Sequence, residues 1–165
     1  MNGNQHTFWT GGDDGVIKLW NAEINPIKTL DLTSQIQYGP GVRSMDVKTD
    51  GKLLIGTYGA SVLEISNDDG RIINRITEGH FRDRTAHPAE VWGCCVHPTK
   101  QLFATSGGDK TIRIWSQNKM VKCSTQFAED ITAMDWSPGE AKYLIAGDRK
   151  GTAFLLNAET LEILG

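Results

Sequence analysis

Short runs of alternating apolar and polar residues recur along this chain, and turn-forming residues separate them. Thr111–Trp115 is typical, because its isoleucines alternate with polar residues and a Gly-Gly-Asp-Lys segment precedes it. Runs of this length bounded by Gly, Asp or Asn are characteristic of β-strands. The other runs are Val16–Trp20, Lys52–Thr57, Val62–Ile65, Leu102–Thr105 and Lys142–Ala146. Since no window has a long apolar stripe of helical period, the sequence predicts an all-β protein.

Internal repetition narrows the fold class. The segment GGDDGVIKLW aligns with SGGDKTIRIW, so that Asp14 matches Asp109 and Trp20 matches Trp115. Weaker copies occur at 53–65 and 144–156. A repeat of roughly 40 to 45 residues with four strands in each unit is typical of β-propeller blades. We therefore predict blades of four antiparallel strands, about fourteen strands in all, arranged as a partial ring of about three and a half blades.

The predicted blades occupy residues 6–40 (partial), 41–79, 87–128 and 129–165 (partial), with residues 80–86 as an inserted loop. By this division the chain starts at a second strand near Thr7 and stops as a fourth strand starts at Leu161. We expect it to be a fragment of a longer protein. Unpaired strand edges favour association, so we expect it to pair with another copy or with a neighbouring part of that protein.

Four residues resemble the hydrogen-bonded set of a WD repeat: His87, Thr105, Asp109 and Trp115. Such a set satisfies every buried polar atom of a narrow blade. Thr10, Asp14 and Trp20 supply a partial set in the first blade, whereas the final Asp of the Trp-Asp pair is replaced by Asn21 and Ser116. His80 follows Gly79 and is an alternative histidine, but the spacing to Trp115 favours His87.

A narrower resemblance rests on the phrases GVRSMDVKTDGKLLIGTYGASVLEI and EVWGCCVHPTKQLFATSGGDKTIRIW. Both are similar to the echinoderm microtubule-associated protein-like family. This resemblance implies a WD-repeat interaction scaffold without catalytic activity, located in the cytoplasm at the cytoskeleton, with tubulin as a candidate partner. The alternative is a general WD-repeat adaptor, in a ubiquitin ligase or ciliary transport complex, that does not contact tubulin.

A loose basic cluster is the candidate partner-binding surface. Its members are Arg82, Arg84, Lys110, Arg149 and Lys150. The propeller topology places their loops on one face, and loops on a rigid scaffold often carry function. Because tubulin surfaces are acidic, this cluster is a reasonable contact for them. The competing interpretation is that these are ordinary solvated loop tips.

Several other classes of function lack support in the sequence. The net charge of −3 gives no overall positive field for nucleic acid, and the longest apolar run, Val91–Val96, is too short for a membrane helix. Cys94 and Cys95 are adjacent on a strand and point to opposite sides, so they cannot bind one metal ion. We find no calcium loop, phosphate loop or nucleophile motif. We predict no enzyme, no cofactor and no metal, and the odd count of three cysteines indicates a reducing cytoplasm.

Overall fold

The computed structural model describes residues 7–48, 50–77, 79–81 and 89–165. These ranges contain fourteen β-strands and no helix, and accordingly none of their segments is a helix able to cross a membrane. The strands are β1 (Thr7–Gly11), β2 (Val16–Asn21), β3 (Pro26–Asp31), β4 (Val42–Val47), β5 (Leu53–Thr57), β6 (Val62–Ile65), β7 (Ile72–Ile76), β8 (Gly93–Val96), β9 (Phe103–Ser106), β10 (Ile112–Ser116), β11 (Lys119–Cys123), β12 (Ile131–Trp136), β13 (Tyr143–Asp148) and β14 (Ala153–Asn157).

The strands form four antiparallel sheets in chain order, which we call blades 1 to 4. Blade 1 contains β1 to β3, blade 2 β4 to β7, blade 3 β8 to β11 and blade 4 β12 to β14. Within each blade, strands that are consecutive in sequence are hydrogen-bonded neighbours. The predicted all-β class with four-stranded antiparallel blades is confirmed. The described sheets do not close into a ring.

The first strands of successive blades lie next to one another, since β4 contacts β8 and β8 contacts β12. The core is therefore divided into layers between blades. The layer between blades 1 and 2 includes Ile17, Leu30, Leu53 and Leu63. The layer between blades 2 and 3 includes Leu54, Val62, Phe103 and Trp115. The layer between blades 3 and 4 includes Ala104, Ile114, Leu144 and Leu156.

One irregularity recurs at the same place in three blades. The pairing of β2 with β3 in blade 1 shifts register between Leu19 and Trp20, and the pairing of β10 with β11 in blade 3 shifts register between Ile114 and Trp115. Blade 2 has the same shift before Ile65. Because a bulge bends a strand at a fixed point, these three positions are structurally equivalent, in agreement with the alignment of the repeats.

Residues 162–165 run beside β14, where a fourth strand lies in blades 2 and 3. Asn157 N donates to Glu162 O at 2.9 Å, and Leu155 N donates to Gly165 O at 2.7 Å. Leu161, at the turn into this segment, has a φ of 61°. Blade 4 is thus a three-stranded sheet with a short additional segment along its outer edge.

Candidate functional site

Blade 3 contains a continuous chain of buried hydrogen bonds. Trp115 Nε1 donates to Thr105 Oγ1 at 2.8 Å. The two ring nitrogens of His80 lie 2.8 Å from Thr105 Oγ1 and 2.8 Å from Asp109 Oδ1. A carboxylate only accepts, so we assign the proton of His80 to Nδ1; the Thr105 hydroxyl then donates to Nε2. All four side chains are satisfied while the imidazole is neutral.

Two pKa shifts fit this assignment. Burial lowers the pKa of His80, and this outweighs the opposing effect of Asp109. Burial alone would raise the pKa of Asp109, but its hydrogen bond with His80 and the charge of Arg113 hold that pKa below the usual value of a carboxyl. The folded protein therefore favours a neutral imidazole beside an ionised carboxylate.

The histidine of this set is His80, which corrects the sequence-based choice of His87. His87 lies outside the described residues. The spacing argument failed because it placed the inserted residues before the histidine, whereas they follow it. The Gly79–His80 step was the better signal: a Cβ at Gly79 would lie 2.9 Å from Val62 Cγ2, so a side chain there meets the neighbouring strand.

Asp109 also organises the loops around it. Its Oδ1 accepts from Thr111 N at 3.1 Å, and its Oδ2 accepts from Phe81 N at 3.2 Å. Arg113 Nη2 donates to the same Oδ2 at 2.7 Å, while Arg113 Nη1 donates to Gly79 O at 2.6 Å. The carboxylate therefore ties the turn after β9 to the loop that enters blade 3.

Blade 1 has the partial set that the sequence predicts. Trp20 Nε1 donates to Thr10 Oγ1 at 2.8 Å, and Asp14 Oδ1 accepts from Val16 N at 3.0 Å. Unlike the set of blade 3, this one is exposed to solvent. The described residues place no histidine beside Thr10.

One side of the blades carries the turns 12–15, 58–61, 107–111 and 148–152, together with the loops that enter blades 2 to 4. We call this side the upper face. One backbone hydrogen bond recurs on it in three blades. Tyr58 N donates to Gly41 O at 2.8 Å, Gly108 N to Glu90 O at 3.0 Å and Arg149 N to Asp130 O at 3.0 Å. Each turn is thus fixed to the loop of its own blade, so the side chains of the upper face project from a rigid frame.

The upper face brings three of the predicted basic residues together but interleaves them with carboxylates. Lys110 and Arg149 line one cleft with Asp109 and Asp130, and Arg149 Nη1 lies 3.7 Å from Asp130 Oδ2. Lys150 pairs with Glu129, which lowers the pKa of Glu129 and raises that of Lys150. Arg82 and Arg84 lie outside the described residues. The described part of the cluster therefore has mixed charge.

Sequence reasoning missed the residues that link the blades on this face. Arg43 of blade 2 donates through Nη1 to Asp13 Oδ1 of blade 1 at 2.8 Å, and through Nε to Glu90 Oε2 at 2.7 Å. Its guanidinium carbon lies 5.0 Å from the ring centre of Tyr58 and 5.5 Å from that of Trp92. These distances are within the range of cation–π contacts. One side chain thereby contacts three successive blades.

Trp92 is the second member of this link. The guanidinium carbon of Arg149, in blade 4, lies 5.3 Å from its ring centre. Its indole Nε1 is buried and has no hydrogen-bond partner among the described residues. A signal was present in the repeated phrases VRSM, VWGC and ITAM, because Arg43, Trp92 and Thr132 hold the same place in these phrases, at or directly before the first strand of blades 2, 3 and 4.

The described residues include no group of three or more His, Cys, Asp or Glu side chains arranged to hold a metal ion. Cys94 and Cys95 are buried, while Cys123 is exposed. Burial raises the pKa of the Cys94 thiol to about 12 and also raises that of Cys95. Since the thiolate is the reactive form, these two cysteines behave as packing residues.

Comparison with known sequences agrees with this geometry. The sequence model described as "WD domain, G-beta repeat" matches residues 78–116, which run from the loop before His80 to the end of β10. Residues 78–116 are thus similar to a WD repeat. The match includes His80, Thr105, Asp109 and Trp115.

Three curated relatives extend the similarity over more of the chain. Human echinoderm microtubule-associated protein-like 2 is 25% identical over 154 residues, which are 93% of this chain and 22% of that protein. Human echinoderm microtubule-associated protein-like 4 is 27% identical over 93% of this chain and 14% of its own length. The 77 kDa echinoderm microtubule-associated protein of Lytechinus variegatus is 28% identical over 73% of this chain and 16% of its own length. The chain thus spans less than a quarter of these proteins.

Proposed function

We propose that this chain is a non-catalytic interaction scaffold of the cytoskeleton that binds tubulin through its upper face. The observation that carries this proposal is the similarity along 93% of the chain to proteins named as microtubule-associated. The similarity of residues 78–116 to a WD repeat supports the scaffold part of the proposal. On this basis we place the protein in the cytoplasm, at microtubules.

The upper face has the properties that such a contact needs. Its turns are held by the recurring hydrogen bonds to Gly41, Glu90 and Asp130, so these turns lose little backbone entropy when a partner binds. Lys150 and Arg149 remain largely exposed, at 71% and 56% of their side-chain surface. Both cations are free to exchange their present carboxylate partners for acidic groups of another protein.

The interleaved carboxylates already bind the basic side chains, so a partner has to compete with them. Binding to an acidic surface competes with the pairs of exposed Lys150 with partly exposed Glu129 and of exposed Arg149 with nearly buried Asp130. Pairs at a protein surface contribute only about 0 to 1 kcal/mol each, so the Lys150 pair is the one that a close array of carboxylates on the partner replaces most easily. We expect the affinity to fall as salt rises.

Co-pelleting with stabilised microtubules tests the proposal. The double variant Arg149→Glu/Lys150→Glu is expected to reduce the bound fraction several-fold, and Arg82→Glu/Arg84→Glu tests the remaining part of the predicted cluster. Lys142→Glu is the matched control, because Lys142 is an exposed, ion-paired lysine outside the upper face. Wild-type protein that stays in the supernatant contradicts tubulin binding. Equal loss in the control and the double variant contradicts the choice of face.

A second candidate is a WD-repeat adaptor that binds a different protein complex. The mixed charge of the upper face favours it, since Asp13, Glu90 and Asp130 lie beside Arg43 and Arg149. Affinity purification that returns a defined complex without tubulin, and loses that complex in the Arg149→Glu/Lys150→Glu variant, supports this candidate over the first.

A further inference from the structure

A cleft of about 600 Å³ opens between blades 3 and 4 on the side opposite the upper face. We call this side the lower face; its turns 48–52, 97–102 and 137–142 join the first and second strands of blades 2 to 4. The volume lies in the range of about 300 to 1,000 Å³ that is typical of ligand sites. The buried and partly buried apolar residues of the lining are Leu102, Ile114, Trp136, Ala141 and Ala158.

The corresponding cleft between blades 2 and 3 fills itself with paired charges. It has a volume of about 380 Å³ and contains Lys48, Asp50, Lys52 and Glu64. Lys48 pairs with Glu64, and Lys52 Nζ lies 2.7 Å from Asp50 Oδ2. Each ammonium group of this cleft therefore has a carboxylate of its own blade as partner.

The cleft between blades 3 and 4 lacks that pairing. His97 holds the place of Lys48, since each directly follows the first strand of its blade. Ile114 holds the place of Glu64, since each lies directly before the register shift of its strand. The residue opposite Ile114 on the next strand is Lys122. An imidazole and an aliphatic side chain thus replace an ion pair, and Lys122 faces no carboxylate across the sheet.

The imidazole of His97 supplies a buried donor to the cleft. Its Nδ1 accepts from Thr99 N at 3.2 Å and from Lys100 N at 3.1 Å, so we assign the ring proton to Nε2. Burial, with a smaller contribution from Lys100, lowers the pKa of His97 and favours the neutral ring. His97 is 3% exposed and lines the cleft, yet its Nε2 has no hydrogen-bond partner among the described residues. A buried donor of this kind favours a ligand that brings an acceptor.

The rim of the cleft has more ammonium groups than carboxylates. Lys100, Lys122 and Lys142 line it together with Glu140 and Glu159. Lys142 pairs with Glu140 at 2.7 Å, whereas Lys122 donates to the backbone carbonyl of Glu159. Lys100 has no ion pair in the part of the chain that the structure describes. The rim therefore favours an occupant that carries carboxylates.

Two exposed apolar side chains extend the cleft on opposite walls. Val121 of β11 is 48% exposed and Tyr143 of β13 is 42% exposed, and both line the cleft. A small molecule held in the interior leaves these two side chains in water. An extended chain that crosses from one wall to the other covers both, which favours a peptide as occupant.

We propose that this cleft binds a peptide segment of a partner protein in which one or two large apolar residues stand between acidic residues. The apolar residues pack against Ile114 and Trp136, and an oxygen of the peptide accepts from His97 Nε2. The flanking carboxylates bind Lys100 and Lys122. Because the cleft lies on the lower face, this binding is independent of microtubule binding through the upper face.

Titration of the ¹⁵N-labelled full chain with the peptide acetyl-DDLFDD-amide, followed by NMR, tests the proposal. We expect saturable shifts of the Trp136 indole and of the backbone amides in turn 97–102, with the Trp92 indole of the upper face unchanged. The dissociation constant should rise with salt. Acetyl-KKLFKK-amide, which meets the rim lysines with like charges, and acetyl-DDGGDD-amide, which lacks the apolar residues, should each bind at least about tenfold more weakly.

Two variants with exposed substitutions locate the site. Val121→Glu places a carboxylate on the apolar wall and should raise the dissociation constant at least about tenfold, and Lys100→Glu should raise it about threefold or more. Ile73→Glu is the matched control, because Ile73 is 45% exposed at the place of Val121 in blade 2 and lies outside this cleft. It should leave binding unchanged. The amide spectrum of each variant verifies its fold.

Four results would overturn the proposal. The first is the absence of saturable shifts at the Trp136 indole with about 2 mM acetyl-DDLFDD-amide, a concentration that detects even weak peptide binding. The second is equal affinity for acetyl-KKLFKK-amide, which contradicts the acidic flanks. The third is equal weakening by Ile73→Glu and Val121→Glu, which contradicts the choice of cleft. The fourth is phenylacetate that binds as tightly as the peptide, which indicates a small-molecule site.

Discussion

Blades 1 and 3 contain the same threonine, aspartate and tryptophan at the same positions, yet the two sets differ in environment. In both blades the indole donates to the threonine at 2.8 Å. In blade 3, His80 joins the threonine to Asp109, and all four side chains are buried. In blade 1 the described set ends at the threonine and faces solvent. Among the described residues, the indole bond of blade 1 forms with no histidine beside it, whereas in blade 3 the histidine connects this bond to the turn.

The largest expected effect comes from removing the histidine, which makes blade 3 resemble blade 1. His80→Ala removes the acceptor of the buried Thr105 hydroxyl and one donor to the buried Asp109 Oδ1, and it opens a cavity. We expect a loss of about 3 kcal/mol in the free energy of unfolding, measured by urea denaturation. His87→Ala is the matched control and should change that free energy by less than about 0.5 kcal/mol. The reverse ranking would restore the histidine assignment that spacing favoured.

The next largest effect is a difference in stability between substitutions of Trp115 and of Trp20. Trp115→Phe retains the aromatic ring but removes the donor to buried Thr105, at a cost of about 1 to 3 kcal/mol. Trp20→Phe removes the equivalent donor from an exposed pair, where water replaces it, so its cost should stay below about 1 kcal/mol. Denaturation of both variants under the same conditions measures the difference. Equal losses would mean that solvent exposure does not distinguish the two sets.

The smallest expected effect is a dependence of stability on pH that arises from His80 in blade 3. Burial lowers the pKa of His80 below its unfolded value of 6.5, so the unfolded chain binds more protons as the pH falls below that value. Stability should therefore be full above pH 6.5 and should decline on acidification until the folded pKa is reached. Burial and Lys100 shift His97 in the same direction. In thermal unfolding between pH 7.5 and 5, His80→Gln should weaken this loss of stability without removing it. If the dependence of stability on pH is unchanged in the variant, the loss arises from other titratable groups.

The strands could be read from the sequence because each is a short apolar run between turn residues. The equivalence of Trp20 with Trp115 was also visible, since it needs only the alignment of two segments. The choice between His80 and His87 was not, because it depends on which side of the histidine an inserted loop lies. A count of residues to Trp115 carries no information about that. The hydrogen bonds of His80 with Thr105 and Asp109 decide it in three dimensions.

The charge of the candidate surface was harder to predict for a related reason. Lys110, Arg149 and Lys150 were chosen by the face on which their turns lie, and the structure does bring them around one loop. Their neighbours Glu129 and Asp130 come from the loop that enters blade 4, so their contribution depends on how that loop folds over the turn that carries Arg149 and Lys150. Arg43 was overlooked for the same reason, because its two carboxylate partners are 30 and 47 residues away along the chain.

Arg43 gives the upper face a mechanical property. A single guanidinium bridges Asp13 and Glu90 and rests against Tyr58 and Trp92, so the tip of one blade is coupled to the tips beside it. A pulling force applied at any of these tips is shared among neighbouring sheets, which reduces the load on each strand pair. We therefore expect the turns that Arg43 connects to move together under such a force.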